Sequence, residues 1–419
     1  MRILIIGNGG REHALAWRCR HEGHEVHVAP GNDGIAEDAV IHDVATSDHD
    51  GVVQLARRLN VDLVIVGPEQ PLVEGVVDRL IHAGLRVFGP TAAAAELEGS
   101  KAAAKAFMAR HGVPTARYQT VAHLADGLAA LRSFAEPPVV KASGLAAGKG
   151  VTVPESLAEA EAAVRECLGD GRFGAAGSTV VLEQRLRGQE VSLFVLTDGT
   201  HAVTLLPAQD HKRVGEGDTG PNTGGMGAYC PAPVYDAATR GRVMESIVEP
   251  TLAGLRAEGR PFVGVLFVGL MIDETGAPFV IEYNCRFGDP EVQPLLYGLR
   301  APIVPVMMAA SAGALEASAS LPGRPAATVV LASEGYPLKT RVGLPITGLD
   351  HHAPDVQLFH AGTRRDADGR WLTSGGRVLG VCARAETLRG ALSRAYERCA
   401  SIEFEGRQLR RDIGVRALS

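Results

Sequence analysis

The 419-residue sequence has few cysteines, few aromatic residues and no excess of basic side chains. Its six cysteines are scattered without a CxxC pair, which argues against a disulfide framework or a zinc site and favours a reducing compartment. Lys and Arg total 42 against 48 Asp and Glu, so the formal net charge is −6. This balance argues against nucleic acid or an anionic membrane as the main partner, because both favour a basic surface.

Long hydrophobic runs are also lacking. The longest uncharged, mostly apolar stretch covers residues 301–315, contains two prolines and is too short to span a bilayer. The chain runs from Met1 directly into the strand-like RILIIG, without the shape of a signal peptide. We therefore expect a cytoplasmic protein that binds neither membranes nor nucleic acid, and the length predicts roughly three domains.

The first hundred residues alternate short apolar runs with helical stretches. Strands are expected at residues 2–7, 25–30, 61–67 and 86–89, and helices at residues 48–60 and 69–83. This alternation predicts an α/β domain over residues 1–100 with a doubly wound parallel sheet, whose ligands bind at the C-terminal ends of the strands.

Three turns at those strand ends carry polar and glycine residues: GNGGREH (7–13), PGNDG (30–34) and GPEQP (67–71). Glycines after the first strand let backbone N–H groups approach a phosphate, although such glycines can also serve only a tight turn. A dinucleotide site is disfavoured, because Glu12 replaces the third glycine of its fingerprint. The turns favour a phosphosugar site instead, with these candidate residues: Gly9, Gly10, Arg11, Glu12, His13, Asn32 and Glu69.

The middle of the sequence begins with a helical stretch (98–114) that is closed by Gly112 and Pro114. Residues 137–154 then predict a strand, the glycine loop GLAAGKG (144–150) and a second strand. The loop lacks the Walker order GxxxxGK[ST] and is followed by a strand rather than a helix. It therefore predicts a flap that folds over a triphosphate.

Several motifs occur in the order used by ATP-grasp ligases: GSK (99–101), VVKASG (139–144), the glycine loop, VLEQRL (181–186) and VIEYNCRFGDPE (280–291). With GNGGREHALAW, VGPEQPLVEGVVD and QDHKRVGEGDTGPNTGGMGAY (209–229), the sequence resembles the phosphoribosylamine–glycine ligase family over essentially the whole chain. The resemblance implies an ATP-grasp domain over residues 101–320, with a flap subdomain at about 115–187, and a C-terminal α+β domain over residues 325–419.

The resemblance also implies an ATP site. Lys101 and Lys141 would contact the phosphates, and the backbone after the strand 181–183 would read the adenine, with Glu190 accepting from the ribose hydroxyls. Any one of these lysines alone is more typical of a solvated surface, so the assignment depends on their order and strand context. The implied nucleotide-binding residues are Lys101, Lys141, Gly148, Lys149, Gly150, Glu183, Gln184, Leu186 and Glu190.

Glu282 and Asn284 stand two apart on an expected strand, so their side chains point to the same face. Two oxygen ligands suit Mg²⁺ or Mn²⁺ that is also held by ATP phosphates. The preceding strand has Val268 and Gly269 where many ATP-grasp enzymes carry another acid, so we expect weak metal binding without ATP. An exposed strand face without a metal is the alternative.

The implied reaction is the ligation of glycine to phosphoribosylamine through glycyl phosphate. Arg286 would hold the acyl phosphate and the tetrahedral species derived from it. Asp289 and Glu291 would orient Arg286 or the incoming amine, whereas an ordinary surface Arg–Asp pair is the alternative. The expected catalytic residues are Arg286, Lys141, Asp210, Lys212 and Asp289.

Residues 209–229 are charged and rich in glycine, and we expect neither helix nor strand there. We interpret the segment as a loop that is mobile without substrate and becomes ordered with it. Asp210, Lys212 and Arg213 would reach glycine and the phosphates, and glycines such as Gly225 would supply hinges and close backbone approach.

Beyond residue 325, strand-like runs up to residue 385 and a helix at 387–400 predict a small α+β cap. Its glycines at 333–337 and 373–380 could border the sugar site, and a purely structural role is an equal alternative. The oligomeric state stays open, a monomer being one option. Rival functions are another ATP-grasp ligase or carboxylase with a different acceptor, a dinucleotide-dependent oxidoreductase and a nucleotide sensor.

Overall fold

The computed structural model describes residues 1–146 and 148–418. Up to residue 110 the elements are, in order, β1 (Arg2–Gly7), α1 (Gly10–His21), β2 (Glu25–Pro30), β3 (Val40–Ile41), α2 (His49–Leu59), β4 (Leu63–Val66), α3 (Glu69–Val73), α4 (Val76–His82), β5 (Val87–Phe88), α5 (Ala92–Gly99) and α6 (Lys101–Arg110).

The N-terminal sheet is parallel, with the order β3-β2-β1-β4-β5. Strands β1 and β4 lie in its centre and are buried almost throughout, which explains their continuous apolar sequences. The predicted doubly wound sheet is confirmed. The single helix expected at residues 69–83 is instead two helices, because Gly75 adopts a φ of +85° between them.

A four-stranded antiparallel sheet follows, with the order β6-β9-β7-β8. Its elements are β6 (Tyr118–Val121), α7 (Leu124–Ala130), β7 (Val139–Ala142), β8 (Val151–Thr152), α8 (Leu157–Leu168) and β9 (Val180–Glu183). β7 pairs with β8, so the expected strand, glycine loop and strand form a hairpin; Ala147 of that loop lies outside the described residues. The sheet and its helices enclose a small hydrophobic core that includes Val140, Val164 and Leu182.

The next region contains β10 (Gln189–Asp198), β11 (Ala202–Thr204), β12 (Gln209–Asp210), β13 (Arg213–Gly215), β14 (Thr219–Asn222), β15 (Gly227–Cys230), α9 (Ala237–Val243), α10 (Glu249–Ala257), β16 (Val263–Ile272), β17 (Pro278–Asn284), α11 (Val292–Gly298), α12 (Val304–Ser311) and β18 (Ala319–Ser320). A second five-stranded sheet has the order β17-β16-β10-β11-β18. Its apolar side chains, such as Leu266 and Val268, share one core with Leu4 and Val64 of the N-terminal sheet.

The C-terminal elements are β19 (Ala326–Ala332), β20 (Val356–His360), β21 (Thr363–Arg365), β22 (Trp371–Thr373), β23 (Arg377–Arg384), α13 (Leu388–Ala400) and α14 (Val415–Leu418). The main sheet has the order β12-β15-β19-β23-β20, so two of its strands come from the segment 209–230. Among the described residues, none of the helices has the length and apolar character needed to cross a membrane.

The expectation that residues 209–229 contain no strand is wrong. β12 and β15 join the C-terminal sheet, and β13 and β14 form a hairpin between them. Tertiary pairing outweighs the low strand propensity of glycine here. At Gly227 the glycine even assists pairing, because a Cβ atom would lie 2.7 Å from the backbone oxygen of Thr328 on the neighbouring strand.

Candidate functional site

A cleft of about 760 Å³ lies where the four-stranded sheet, the second five-stranded sheet, the N-terminal sheet and the hairpin β13–β14 meet. It brings together residues that are far apart in the sequence but were expected to act together. Those that line it are Arg11, Glu69, Lys101, Lys141, Gly148, Gly150, Glu183, Gln184, Leu186, Glu190, Asp210, Lys212, Arg213, Glu282, Asn284, Arg286, Asp289 and Glu291.

Other candidates do not line the cleft: Gly9, Gly10, Glu12, His13, Asn32, Lys149 and Gly225. Glu12 accepts a hydrogen bond from the Gly9 N–H at 2.6 Å and pairs with Arg11, also at 2.6 Å. Asn32 donates to the Asn8 carbonyl and accepts from the Gly34 N–H. These two side chains therefore hold the turns at the strand ends in place.

His13 and Gly225 also have contacts within the protein. His13 lies between Asp38, 3.2 Å from its Nε2, and the His360 N–H, which donates to its Nδ1 at 2.8 Å. Gly225 has a φ of +109°, and a Cβ atom there would lie 2.4 Å from Cδ of Pro290. Both residues thus join segments around the cleft, and Gly225 permits the close approach that the sequence predicts.

A buried carboxylate organises the lysines at one end of the cleft. The two oxygens of Glu183, at the end of β9, lie 3.0 Å from Lys141 Nζ and 2.9 Å from Lys105 Nζ. Lys141 also donates to the Ile281 carbonyl, and Lys101 donates to the Gly144 carbonyl at the base of the flap. This concentration of positive charge suits a polyphosphate.

Lys105 was not expected from the sequence. It lies one helical turn after Lys101 on α6, and this spacing of four residues was the available signal. Its side chain is buried, donates to Thr115 Oγ1 and approaches the Tyr118 ring. Burial lowers the pKa of Lys105 to about 8, although Glu183 opposes the shift.

Glu282 and Asn284 lie on β17 and face the cleft together, as expected. Among the described residues, none donates a hydrogen bond to the Glu282 carboxylate or pairs with it within 4 Å. Burial acts to raise the pKa of Glu282, but Lys212, Lys141 and Lys101 lower it overall. An ionised carboxylate without a direct partner, beside an amide oxygen, is a fitting donor set for a hard cation.

The same residues give only a partial coordination shell. The structure contains, within its described residues, no group of three or more His, Cys, Asp or Glu side chains arranged for a metal ion. The partner of Glu282 on β16 is Gly269, which supplies no side-chain ligand. A cation at Glu282 and Asn284 would therefore take its remaining ligands from a bound nucleotide or water.

Arg286 is held by carboxylates from the N-terminal region. Its guanidinium lies 3.2 Å from Glu69 and 2.9 Å from Glu98, and it donates to Asn284 Oδ1. Burial opposes the charged form, but Glu98 and Glu69 raise the pKa of Arg286 above its ordinary value. The site thus contains a fixed cation beside Asn284.

Asp289 does not orient Arg286. Its carboxylate pairs with Arg377 at 2.8 Å and accepts from Gln293 at 3.0 Å, so it connects the C-terminal sheet to the cleft. Glu291, the other residue expected to orient Arg286, accepts from Ser192 at 3.1 Å. The carboxylates that contact Arg286 are Glu98 and Glu69, and neither Glu98 nor Arg377 was expected from the sequence.

The segment around β12 and β13 adds charges opposite β17. Lys212 Nζ lies 2.8 Å from Glu190 Oε2, which is the residue expected to bind the ribose. Burial raises the pKa of Asp210 to about 7; Lys212 opposes this shift, and Glu291, Glu190 and Glu282 reinforce it. Burial and the neighbouring carboxylates thus act against the ionised form of Asp210.

Sequence comparisons identify the family to which this chain belongs. Phosphoribosylglycinamide synthetase models match the chain with their N domain at residues 1–98, their ATP-grasp (A) domain at 99–292 and their C domain at 326–416. Phosphoribosylamine–glycine ligase of Xanthomonas campestris pv. campestris is 51% identical over 100% of this chain and 98% of its own length. The phosphoribosylamine–glycine ligase of Escherichia coli O6:H1 is 49% identical over 100% of this chain and 99% of its own length.

Solved structures agree with these relationships. The crystal structure of phosphoribosylamine–glycine ligase from Thermotoga maritima superposes with a TM-score of 0.87 at 33% identity, covering 99% of this chain and 100% of that one. A biotin carboxylase–β-γ-ATP complex from Campylobacter jejuni has a TM-score of 0.75 at 16% identity, over 97% and 92%, and shares the fold alone. The chain belongs to the phosphoribosylglycinamide synthetase family, whose central domain is an ATP-grasp fold.

Proposed function

We propose that this chain is an ATP-dependent ligase that joins glycine to phosphoribosylamine in de novo purine biosynthesis. The products are glycinamide ribonucleotide, ADP and phosphate. The observation that carries the proposal is one cleft in which lysines around Glu183, the pair Glu282–Asn284 and Arg286 converge. Relatives named phosphoribosylamine–glycine ligase align with the whole chain and support the same activity.

ATP would bind between the four-stranded sheet and the second five-stranded sheet. Lys101 and Lys141 would contact its phosphates, and the flap residues Gly148 to Gly150 would cover them. The backbone from Gln184 to Leu186 would read the adenine; the Gln184 N–H already donates to Arg117, so the N–H groups beyond it remain for the base. Glu190, in contact with Lys212, would accept from the ribose.

Glu282 and Asn284 would hold Mg²⁺ or Mn²⁺ together with ATP. When bound, the cation would neutralise phosphate charge during phosphoryl transfer. The carboxylate of Glu282 supports this assignment, because it is ionised and has no direct partner among the described residues. Arg286, which donates to Asn284, lies next to this position.

Glycine's carboxylate would take the γ-phosphoryl group of ATP and become an acyl phosphate, which the amine of phosphoribosylamine then attacks with release of phosphate. Arg286 would stabilise the oxygens of both anionic species, because Glu98 and Glu69 hold its guanidinium in place. Asp210, near Glu291, would attract the ammonium group of glycine. The flap and the hairpin would keep water from the acyl phosphate.

Phosphoribosylamine would bind at the C-terminal ends of β1 and β4, where Arg11 and Glu69 line the cleft. Gly9 and Gly10 begin α1 at the same edge, and this helix start favours a phosphate. Glu12, Asn32 and His13 would act indirectly by fixing the turns. Arg377 and Asp289 would border the same end of the cleft from the C-terminal side.

We also propose three domains, at residues 1–100, 101–320 and 325–419, with the flap subdomain at about 115–187. The four-stranded sheet from Tyr118 to Glu183 supports the flap assignment. A monomer in the cytoplasm is part of the proposal. All six cysteines are buried and free, which suits a reducing compartment.

Phosphate release from ATP tests this function. The purified protein is assayed with glycine alone, phosphoribosylamine alone and both, and we expect rapid release and glycinamide ribonucleotide only with both. Release that needs a different acceptor would assign another ATP-grasp reaction. In parallel, ATP with Mg²⁺ should raise the Tm, whereas NAD should not. At an ATP concentration of 100 times its Kd, the free energy of unfolding should increase by about 2.7 kcal/mol.

A further inference from the structure

The C-terminal residues 410–418 form a clamp on the hairpin β13–β14. Arg410 is 1% exposed, and its guanidinium binds Asp412 through two hydrogen bonds of 2.8 and 2.6 Å. The same guanidinium donates to Asp218 at 2.8 Å and to the Arg213 carbonyl at 3.1 Å. One buried side chain therefore contacts both the tip and the first strand of the hairpin.

Backbone contacts strengthen the clamp. The Gly217 N–H donates to Asp412 at 2.9 Å, and the Arg411 N–H donates to Glu216 at 3.1 Å. Arg416 pairs with Asp218, whose φ of +57° is unusual for a residue other than glycine. The tip of the hairpin is thus fixed by contacts with the clamp, and glycine-rich sequence alone would leave it free.

The clamp is connected to the proposed ligation site through Lys212, which is next to the residue that Arg410 contacts. Arg410 binds the carbonyl of Arg213, and Lys212 precedes Arg213 in the chain. Lys212 Nζ lies 2.8 Å from Glu190, and the Lys212 carbonyl accepts from the Thr223 N–H on the return side of the hairpin at 2.7 Å. A shift of the hairpin would therefore move the Lys212 ammonium away from Glu190.

We propose that Arg410 is a positioning residue for ligation: it fixes the hairpin so that Lys212 stays in the cleft. Its forked, charge-assisted hydrogen bonds suit this task, because they hold a planar group in one orientation. Loss of the guanidinium would leave Asp218 and Asp412 without their shared partner. The kinetic consequence rests on the proposed function, whereas the effect on the hairpin does not.

Hydrogen–deuterium exchange of the whole protein tests the clamp without any substrate. In Arg410→Met we expect exchange of amides in residues 213–222 to rise about tenfold, while β7 and β9 stay as in the wild type. Arg398→Met is the matched control, because Arg398 is also buried but donates to Ser401 and Leu349 within the C-terminal region. Equal hairpin exchange in Arg410→Met and Arg398→Met would overturn the proposal.

Asp218→Asn gives a second variant that should fold even if Arg410→Met does not. Asn tolerates the left-handed backbone at this position, and Asp218 lies on the surface end of the clamp. We expect a rise of about threefold in hairpin exchange, since the clamp keeps its backbone contacts. Unchanged exchange in Asp218→Asn would also count against the clamp.

Kinetics then separate positioning from general destabilisation. Arg410→Met should lower kcat about tenfold, and Arg410→Lys should restore part of the rate. In a Lys212→Met background the Arg410→Met change should cause no further loss, because it acts through Lys212. If the rate losses of the two substitutions multiply in the double variant, Arg410 does not act through Lys212 and the proposal is overturned. Wild-type protein without ligase activity would refute the proposed function, and the exchange result would still decide on the clamp.

Discussion

Arg286 forms an ion pair with Glu98 at 2.9 Å, and Glu98 also accepts a hydrogen bond from the Cys285 N–H at 2.7 Å. The carboxylate at the end of α5 thus connects the guanidinium to the backbone of the residue before it. This arrangement fixes a cation at the position where the proposed reaction develops negative charge. Such a preorganised donor needs little reorganisation during the reaction.

Removal of the guanidinium should therefore affect the chemical step. For Arg286→Ala we expect kcat to fall by about 10²–10³, the usual scale for the loss of one oxyanion donor. Steady-state phosphate release with all three substrates measures it, with the exposed Arg300→Ala as a control for the loss of an arginine. A kcat close to that of the wild type would remove Arg286 from the mechanism.

Substitution of the proposed metal ligands should change the metal requirement. In Glu282→Ala and Asn284→Ala the half-saturating concentration of Mg²⁺ or Mn²⁺ should rise, by about tenfold for each lost ligand. Titration of the ligase rate with each cation measures this change. Glu274→Ala is the control, because Glu274 lies in the exposed turn between β16 and β17. A titration identical to that of the wild type would refute the metal assignment.

Lys105 should matter for ATP although its side chain is buried. Without Lys105, Lys141 is the one cation among the described residues that remains paired with the Glu183 carboxylate, so Glu183 competes more strongly with the phosphates for Lys141. We expect the KM for ATP in Lys105→Met to rise about tenfold, which corresponds to about 1.4 kcal/mol. Lys339→Met at an exposed position is the control. An unchanged KM would show that Lys105 is only structural.

The sequence was sufficient to predict the features that depend on local pattern. The central strands β1 and β4 follow from continuous apolar runs, and the shared face of Glu282 and Asn284 follows from strand geometry. The flap follows from a glycine loop between two strands. These predictions require only neighbouring residues, and the structure confirms the elements.

The features that were missed depend on contacts between distant parts of the chain. In the sequence Glu98 is an ordinary helix residue, and its role depends on its contact with Arg286. Arg377 likewise borders the cleft where it pairs with Asp289. The strands within 209–230 form because β15 pairs with β19, against the low strand propensity of glycine. Such pairings have no local signal, so a single sequence does not reveal them.

Acid should destabilise the protein partly through His211. Burial lowers its pKa to about 4, and the cations Arg410 and Arg416 add to the shift while Asp412 opposes it. The unfolded chain, with a histidine pKa of about 6.5, then binds more protons, so the free energy of unfolding falls as the pH drops from about 6.5 towards 4. This histidine alone accounts for at most about 2 kcal/mol of the loss at pH 5.

Urea unfolding at pH 7 and pH 5 measures this effect. The loss between the two pH values should be smaller in His211→Gln than in the wild type, because glutamine does not titrate. His82→Gln, at the exposed end of α4, should lose as much as the wild type. If His211→Gln also loses as much as the wild type, the buried neutral histidine does not contribute to acid sensitivity.

In the proposed mechanism the carboxylate of glycine is phosphorylated before the amine of phosphoribosylamine attacks. Glycine labelled with ¹⁸O in its carboxyl group tests it most directly, by mass spectrometry of the phosphate released during ligation with phosphoribosylamine. If glycyl phosphate is the intermediate, one ¹⁸O atom of each glycine consumed passes into inorganic phosphate. Phosphate that contains no ¹⁸O, formed together with the ligated product, would contradict it.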